Sequence, residues 1–305
     1  MRTKLDHPKC LICNSKDRKA VFSYDKPDQY EISLGVGKEG YFRQWLQCDR
    51  CGFYYSISSK GKNIIKKIYR SNYRDKNSSW RGQSLEESFK KIAALPEEKS
   101  ETKFRVAWIK KTIEELWDSE LIRKDISPYN MLDIGGGIGI FAYEFQDKNW
   151  SVHVIDPNKE SSFIRTKLRI PFLQKYYKPN SFRHKFHLIA LNYVLEHLSN
   201  PLSILKTAYS DLTSNGLLYI EVPDAVCFHC RPPEDDIFNS CHLWMFSPNT
   251  LTSLLDSSGF EIYSLYRTKV IRGYQVLMVL AGKKYFIKKK ITRLNLDSKR
   301  RYASK

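Results

Sequence analysis

No apolar run in this chain approaches the roughly 18 residues that a membrane-spanning helix needs, and no charged-then-apolar segment opens it. Neither a membrane span nor a signal peptide is expected, and the expected compartment is the cytoplasm. Acidic residues are scarce too: 33 Asp and Glu stand against 51 Lys and Arg, a formal net charge of +18. That imbalance is uneven, because residues 283–305 hold ten Lys or Arg and one Asp, which is half of the net charge. A basic tail (284–305) of this kind reads as a solvated end, or as a segment drawn to the anionic inner membrane surface, to nucleic acid or to a negatively charged substrate. Tyr285-Phe286-Ile287, set between lysine pairs, suits an interfacial contact. Isolated cysteine is nearly absent: all of the seven except Cys241 fall in CxxC pairs, a pattern that suggests metal binding more than a disulfide framework. At 305 residues the chain is long enough for one full core and a small satellite domain.

What is present is concentrated in Met131-Leu-Asp-Ile-Gly-Gly-Gly-Ile-Gly139. Ser127-Pro128 supplies a breaker, Tyr129 to Ile134 reads as a short buried strand, and Ile138 to Gln146 repeats its apolar residues at helical spacing. The glycines therefore sit between strand and helix. Lacking side chains, they permit a tight turn and a close backbone approach to an acceptor-rich ligand, which the unpaired N–H groups of a helix start favour. Trp150 to Asp156 reads as a second strand ending in an acid, placed to accept both ribose hydroxyls of a nucleotide-type cofactor. The glycines alone leave the cofactor open, because Gly137, Gly139 and Ala142 also satisfy the dinucleotide pattern.

Leu132-Asp133-Ile134-Gly135-Gly136-Gly137-Ile138-Gly139 resembles the first motif of the class I S-adenosylmethionine-dependent methyltransferases. Further segments resemble that family in the order it requires. His187 to Pro201 looks like its fourth strand with Val194, Glu196, His197 and Pro201 in the hxxEHxxxP segment, and Gly216 to Asp224 looks like its fifth, entered through an Asn215-Gly216 turn. His242-Leu-Trp-Met-Phe246-Ser247, with Leu251, Leu254, Leu255, Gly259 and Phe260, resembles the segment that closes the pocket and leads into strand six. The resemblance covers residues 126–283 and implies an α/β, Rossmann-like sheet, mostly parallel with its last strand antiparallel. It implies S-adenosyl-L-methionine as cofactor, held by Asp133, Gly135, Gly137, Gly139 and Asp156, with Asn192 near the methionine portion.

Cys10-Leu-Ile-Cys13 and Cys48-Asp-Arg-Cys51 flank 34 residues. Four thiolates can converge tetrahedrally on a structural Zn²⁺ that holds a ribbon too small for a core of its own (1–56), with Gly52 placed for an unusual backbone angle. Redox thiols and an iron–sulfur cluster are the alternatives. The insert Val21 to Gln47 alternates enough to supply the ribbon strands. A helical connector (57–125) follows, with apolar stripes at Ile64–Tyr69, at Leu85–Leu95, and along Phe104, Trp108, Ile109, Ile113, Leu116, Trp117 and Leu121. A four-cysteine unit, a helical section and a methyltransferase domain together resemble the sugar methyltransferases that act on nucleotide-linked deoxysugars. That resemblance implies a sugar nucleotide as acceptor and makes Tyr69 and Tyr73 candidates for a lid over the cofactor.

Two histidines are placed for proton removal. His197 lies just past strand four beside Glu196, and His242 lies in the loop after strand five, both at the carboxyl edge where open α/β sheets bind ligands. Cys227, His229 and Cys230, with Cys241 and His242, offer a second group of metal ligands, or simply cysteines in a buried loop. The leading expectation is a methyltransferase for a small molecule, a sugar or nucleotide-linked sugar of glycan or secondary-metabolite biosynthesis. An RNA methyltransferase using the ribbon and the tail is the alternative, since basic charge gives phosphate affinity without choosing a substrate. Against it, Asn192-Tyr-Val-Leu-Glu-His differs from the (N/D)-P-P-(Y/F) pattern of amine-methylating enzymes. A degenerate scaffold and an NAD-dependent dehydrogenase rank lower.

Overall fold

A computed structural model describes residues 9–61 and 84–284. The helix expected at Ile64–Tyr69, the lid candidates Tyr69 and Tyr73, and the tail beyond Lys284 lie outside the described residues. Strands β1 (Arg18–Tyr24), β2 (Arg43–Cys48) and β3 (Tyr54–Ser58) come first, with the one-turn helix α1 (Gln29–Ile32) between β1 and β2. Helices α2 (Leu85–Ala93) and α3 (Glu101–Asp118) lead into β4 (Tyr129–Ile134), α4 (Ile140–Phe145), β5 (Trp150–Ile155), α5 (Phe163–Thr166) and β6 (Phe172–Leu173). The chain continues through β7 (Phe186–Asn192), α6 (Pro201–Asp211), β8 (Leu212–Pro223), α7 (Cys227–Cys230), β9 (Trp244–Met245), α8 (Pro248–Ser257), β10 (Phe260–Lys269) and β11 (Gln275–Lys283).

Seven strands form one sheet in the order β10-β11-β8-β7-β4-β5-β6. Its centre is parallel, and β11 runs antiparallel to both β8 and β10, as the expected Rossmann-like sheet requires. Because successive side chains of a strand point to opposite faces, each central strand feeds two apolar cores. Leu132, Ile134, Ile189, Leu191, Leu218 and Ile220 enter one; Met131, Leu188, Ala190, Leu217 and Tyr219 enter the other. The second core is roofed by Phe89 of α2, Ile109 and Ile113 of α3, and Phe141 and Phe145 of α4. Burial on both faces explains why these strands read as continuous apolar runs. No helix among the described residues is long and apolar enough to cross a membrane.

The first core includes residues of the amino-terminal strands. Phe53, Tyr55 and Ile57 pack with Leu243, Trp244 and Phe246, and with Leu251 and Leu255 of α8. A second, antiparallel sheet runs β1-β2-β3-β9, so the cysteine-bearing ribbon is completed by a strand from residue 244 onward. Tyr54 pairs with Met245 and Tyr55 with Trp244. On the other face of that small sheet, Trp45, Tyr54, Phe228, Phe238 and Met245 form a separate aromatic cluster.

Three expectations need correction. Leu121 is not on the helical stripe: α3 stops at Asp118, Glu120 takes a positive φ of 57°, and Leu121 is exposed while Ile122 is buried in its place. The helix expected from Ile138 to Gln146 is only Ile140–Phe145, because Gly139 is left-handed (φ 73°) and serves as its cap. Asn215-Gly216 is not a turn at the start of a strand. It lies inside β8, at an irregularity where Phe186 pairs with Leu212 and Leu188 already pairs with Leu217. A Cβ at Gly216 would sit 2.9 Å from the Phe186 carbonyl oxygen, so close backbone approach explains this glycine.

Helix α3 is fixed to the sheet by charge as well as by apolar contact. Arg105, buried in α3, forms a two-pronged ion pair with the fully buried Glu221 of β8, with Nη2 donating to Oε1 at 2.6 Å. The Tyr219 hydroxyl donates to the same carboxylate. The guanidinium holds the Glu221 carboxyl below its ordinary value against the opposing effect of burial. Removing one partner of such a pair strands a charge. We therefore expect Arg105→Met to lower unfolding free energy in urea by about 3–5 kcal/mol, and Arg105→Met/Glu221→Gln to recover at least half. A single-variant loss below about 1 kcal/mol would show that the pair is not a net stabiliser.

Candidate active site

The carboxyl ends of β4, β5 and β7 converge at a glycine turn. Gly135, Gly137 and Gly139 take φ values of 72°, 56° and 73°, a region that side chains disfavour. The packing is equally restrictive. A Cβ at Gly135 would stand 2.7 Å from Val194 Cγ2, one at Gly136 2.5 Å from Val154 Cγ1 and 2.8 Å from Asp133 Oδ2, and one at Gly139 2.8 Å from Ile164 Cγ1. The close approach inferred from sequence is therefore, at these three positions, an approach to the protein's own side chains. Asp133 is buried beneath the turn. Asp156, one residue past β5, reaches across: Oδ2 accepts from the Gly137 N–H at 2.9 Å and Oδ1 from the Asn158 N–H at 2.8 Å. A carboxylate has about four acceptor sites, so those two bonds leave it able to take hydroxyl donors. Asn192, the last residue of β7, buries its side-chain oxygen with no hydrogen-bond partner. Orphaned buried acceptors of this kind are costly unless something else satisfies them. The turn, Asp156 and Asn192 thus fit a nucleoside carrying hydroxyl and amino donors. Tyr73 lies outside the described residues.

Beside Asn192, a 3₁₀ turn over Leu195–His197 carries the expected pair. The His197 Nδ1 lies 2.9 Å from the Cys241 carbonyl and the His242 Nδ1 2.6 Å from the Ile237 carbonyl. A carbonyl can only accept, so each Nδ1 carries the hydrogen and each Nε2 is the basic nitrogen. The rings are 4.7 Å apart between centroids, and His197 Nε2 is 3.7 Å from Glu196 Oε1. Glu196 is fully buried with neither carboxylate oxygen hydrogen-bonded. Burial, aided by the charge of Glu221, pushes its carboxyl up to about 8, and burial holds His242 down at about 4. Full burial thus sets Glu196 apart from the solvated carboxylate that its adjacency to His197 suggested.

The loop carrying His242 is held by the ribbon, which sequence reasoning did not anticipate. Asp28 caps α1 through the Tyr30 and Glu31 N–H groups and also accepts from the Ser240 N–H and hydroxyl. Arg43 and Trp45 of β2 both donate to the Phe238 carbonyl, at 2.6 and 3.2 Å. An Asx residue ahead of Gln29 was a visible cap signal; its second job, 212 residues away, was not. The other grouping considered from sequence does not assemble. Cys230 is exposed, the Cys227 sulfur lies 4.0 Å from the Gln275 carbonyl oxygen, and His242 turns toward Glu196 and His197 instead.

The amino-terminal cysteines do come together. Sγ of Cys10 lies 3.5 Å from that of Cys51, Sγ of Cys13 lies 3.5 Å from that of Cys48, and all four are within 4.8 Å of one another. Thiolates around a tetrahedral ion at ~2.3 Å stand roughly 3.8 Å apart, so the donor set fits such an ion. Each CxxC is followed by a left-handed residue, Asn14 (φ 59°) and Gly52 (φ 72°), whose N–H bonds back to the first cysteine's carbonyl at 2.9 Å.

A family model described as a methyltransferase domain matches residues 80–265, more than half of the chain. The chain belongs to this methyltransferase family. No curated protein matches it. Among solved structures it is similar to the magnesium protoporphyrin IX methyltransferase of Synechocystis PCC 6803 with bound S-adenosylmethionine, at 13% identity and TM-score 0.47 over 73% of this chain and 97% of that one. It is also similar to the 1,6-didemethyltoxoflavin-N1-methyltransferase of Burkholderia thailandensis, at 17% identity and TM-score 0.45 over 57% and 77%. A third is an S-adenosylmethionine-dependent methyltransferase from Methanosarcina mazei, at 19% and 0.43 over 52% and 94%.

Asp28→Ala removes the α1 cap and both bonds to Ser240, worth about 2 kcal/mol together. By hydrogen exchange we expect the Ser240 amide to open at least about tenfold faster, with amides of residues 188–191 unchanged. Unchanged exchange at Ser240 would show that the ribbon does not hold this loop.

Proposed function

We propose that this chain transfers a methyl group from S-adenosylmethionine to a hydroxyl-bearing small molecule, a sugar or nucleotide-linked sugar. The observation that carries the cofactor side is the convergence of the glycine turn, Asp156 and the unpartnered Asn192 oxygen at one edge of the sheet. In this reading Asp156 accepts the ribose hydroxyls with its remaining acceptor sites. Asn192 accepts from the amino group of the methionine portion, and Gly135, Gly137 and Gly139 shape the backbone around it over Asp133. Bound there, S-adenosylmethionine supplies an activated methyl group on a sulfonium. The protein must then align the acceptor and handle one proton. His197, fixed by Cys241, presents Nε2 as the base, while Glu196 and His242 line the same recess.

The four cysteines hold a structural zinc ion in the ribbon. A four-thiolate site is closed to substrate, so the ion acts through the fold. The sugar assignment rests on the ordered combination of four-cysteine ribbon, helical section and methyltransferase domain. It draws support from β9, which builds the ribbon into the acceptor side. The basic tail attracts a charged acceptor or an anionic membrane surface from outside this frame.

Asp156→Ala should weaken S-adenosylmethionine binding in calorimetry by roughly 10- to 100-fold, as loss of charged hydrogen bonds implies, with the folded state retained. Unaltered affinity would remove Asp156 from the cofactor site. With labelled donor and a panel of nucleotide sugars, label should appear in a sugar; label appearing in RNA instead would overturn the acceptor class. His197→Ala should lower kcat by about 10²–10⁴ with the donor's affinity preserved. Cys51→Ser should lose one zinc ion and raise the acceptor's KM more than the donor's, because the ribbon shares its sheet with the acceptor loop.

A further inference from the structure

We propose that Glu196, His197 and His242 form a second metal site, for a divalent transition ion of the zinc class, separate from the four cysteines. Three observations carry it. The carboxylate of Glu196 and one nitrogen of each histidine lie within 4.8 Å of one another. Both oxygens of Glu196 are without a hydrogen-bond partner although the residue is wholly buried. Each histidine is already bound through Nδ1 to a backbone carbonyl, Cys241 or Ile237, and His197 Nε2 stands 3.7 Å from Glu196 Oε1.

Each observation has a direct meaning in coordination chemistry. Two imidazoles and one carboxylate are a donor set used for zinc and neighbouring ions, and three protein ligands leave one position open. Magnesium and calcium prefer oxygen donors throughout, so the two nitrogens select against them. Histidines that ligate metals characteristically give their second ring N–H to a carbonyl or carboxylate. A buried carboxyl group with no partner costs free energy that a cation would recover. The spacing is also within reach. Ligand atoms around a tetrahedral N/O site stand about 3.4 Å apart, and His197 Nε2 to Glu196 Oε1 is 3.7 Å here. Small side-chain rotations would close the triad.

The site sits on the turn after β7, one short turn from Asn192. Leu243, next to His242, donates its N–H to the Glu196 carbonyl at 2.8 Å and accepts from Ser56 of β3 at 2.9 Å. The ribbon therefore fixes the distance between the two halves of the triad. Ion binding itself is independent of the acceptor assignment: in the ion-bound form His197 Nε2 is a ligand and does not serve as the base described above, and the placing of an acceptor oxygen on the open position rests on the function proposed above.

The test is zinc content of the full-length protein, dialysed against buffered micromolar Zn²⁺ and measured by elemental analysis, beside His242→Gln and Glu196→Gln. Wild type should hold one ion per chain more than either variant. X-ray absorption should show nitrogen or oxygen neighbours that disappear in the variants, leaving only sulfur. Circular dichroism confirms that the variants are folded, and the isosteric Glu196→Gln guards against a packing defect in His242→Gln. Equal zinc content in wild type and both folded variants, or a wild-type spectrum of sulfur alone, overturns the proposal. Calorimetry of the wild type with S-adenosylmethionine, run in parallel, reports on the methyltransferase site separately, because its outcome does not depend on the zinc count.

Discussion

The pairing of β3 with β9 is the constraint on which the acceptor side depends. It is short, Tyr54 with Met245 and Tyr55 with Trp244, yet it joins residues 191 and 189 positions apart and sets the register of everything between Ser240 and Phe246. Short strand pairs are weak by themselves. Here the pair is flanked by apolar packing on both faces: Phe53 stacks with Trp244 on one side, and Trp45 meets Phe228 and Phe238 edge-on on the other. Ser56 then extends the ladder to Leu243, and Leu243 passes it to Glu196. A one-residue slip in that register would exchange the faces of Trp244 and Met245. It would also carry His242 away from His197. The cysteine cluster lies at the same end of the ribbon, Cys51 standing three residues before Tyr54, so whatever it binds stabilises the strand that this register is measured from.

Two buried glutamates near the carboxyl ends of β7 and β8 show how differently one environment can treat the same side chain. Glu221 is matched by the two prongs of Arg105 and by the Tyr219 hydroxyl, and stays ionised in full burial. Glu196, on the turn following the neighbouring strand, has no such match, and the fixed charge of Glu221 adds to its burial in favouring the protonated form. Environment of this kind separates structural from functional carboxyls. The compensated pair anchors α3 to the sheet. Arg105 and Arg272 then face the Tyr193 ring at 5.7 and 5.5 Å, at the residue following Asn192, where φ is 53°. The strained backbone at the exit of β7 thus lies between the charge that settles Glu221 and Arg272, which pairs with Glu101.

Periodicity and the glycine turn made the sheet legible from sequence, because β4, β7 and the second half of β8 are buried on both faces and declare themselves as apolar runs. Element ends were harder. The close of α3 before Leu121 and the start of β8 at Leu212 depend on local backbone choices and on packing partners far along the chain. The paired cysteines were visible as spacing, and their convergence followed. What spacing could not show is that the ribbon is unfinished until β9 joins it. Adjacency showed Glu196 and His197 only as neighbours in sequence; it could not show that Glu196 is wholly buried or that His242 stands alongside. Cys241-His242 drew attention with Cys227 and Cys230, but a loop's direction is set by what holds its backbone. Asp28, Arg43 and Trp45 aim it elsewhere.

The glycine turn itself changes the meaning of preorganisation in this crevice. A turn ordered only by its ligand would charge the ordering cost to binding. Here the backbone shape is enforced from within: Val194, Val154 and Ile164 occupy the space where Cβ atoms would lie, and Asp156 already holds the Gly137 amide. Because α4 is barely more than one helical turn, the macrodipole of a long helix has little part in this. Anchoring comes instead from a carboxylate on the next strand, which couples the β4 turn to the β5 edge before any ligand arrives. Ordering of the turn is thereby a consequence of folding, and the two groups left with unused acceptor capacity, Asp156 and Asn192, stand on a rigid base.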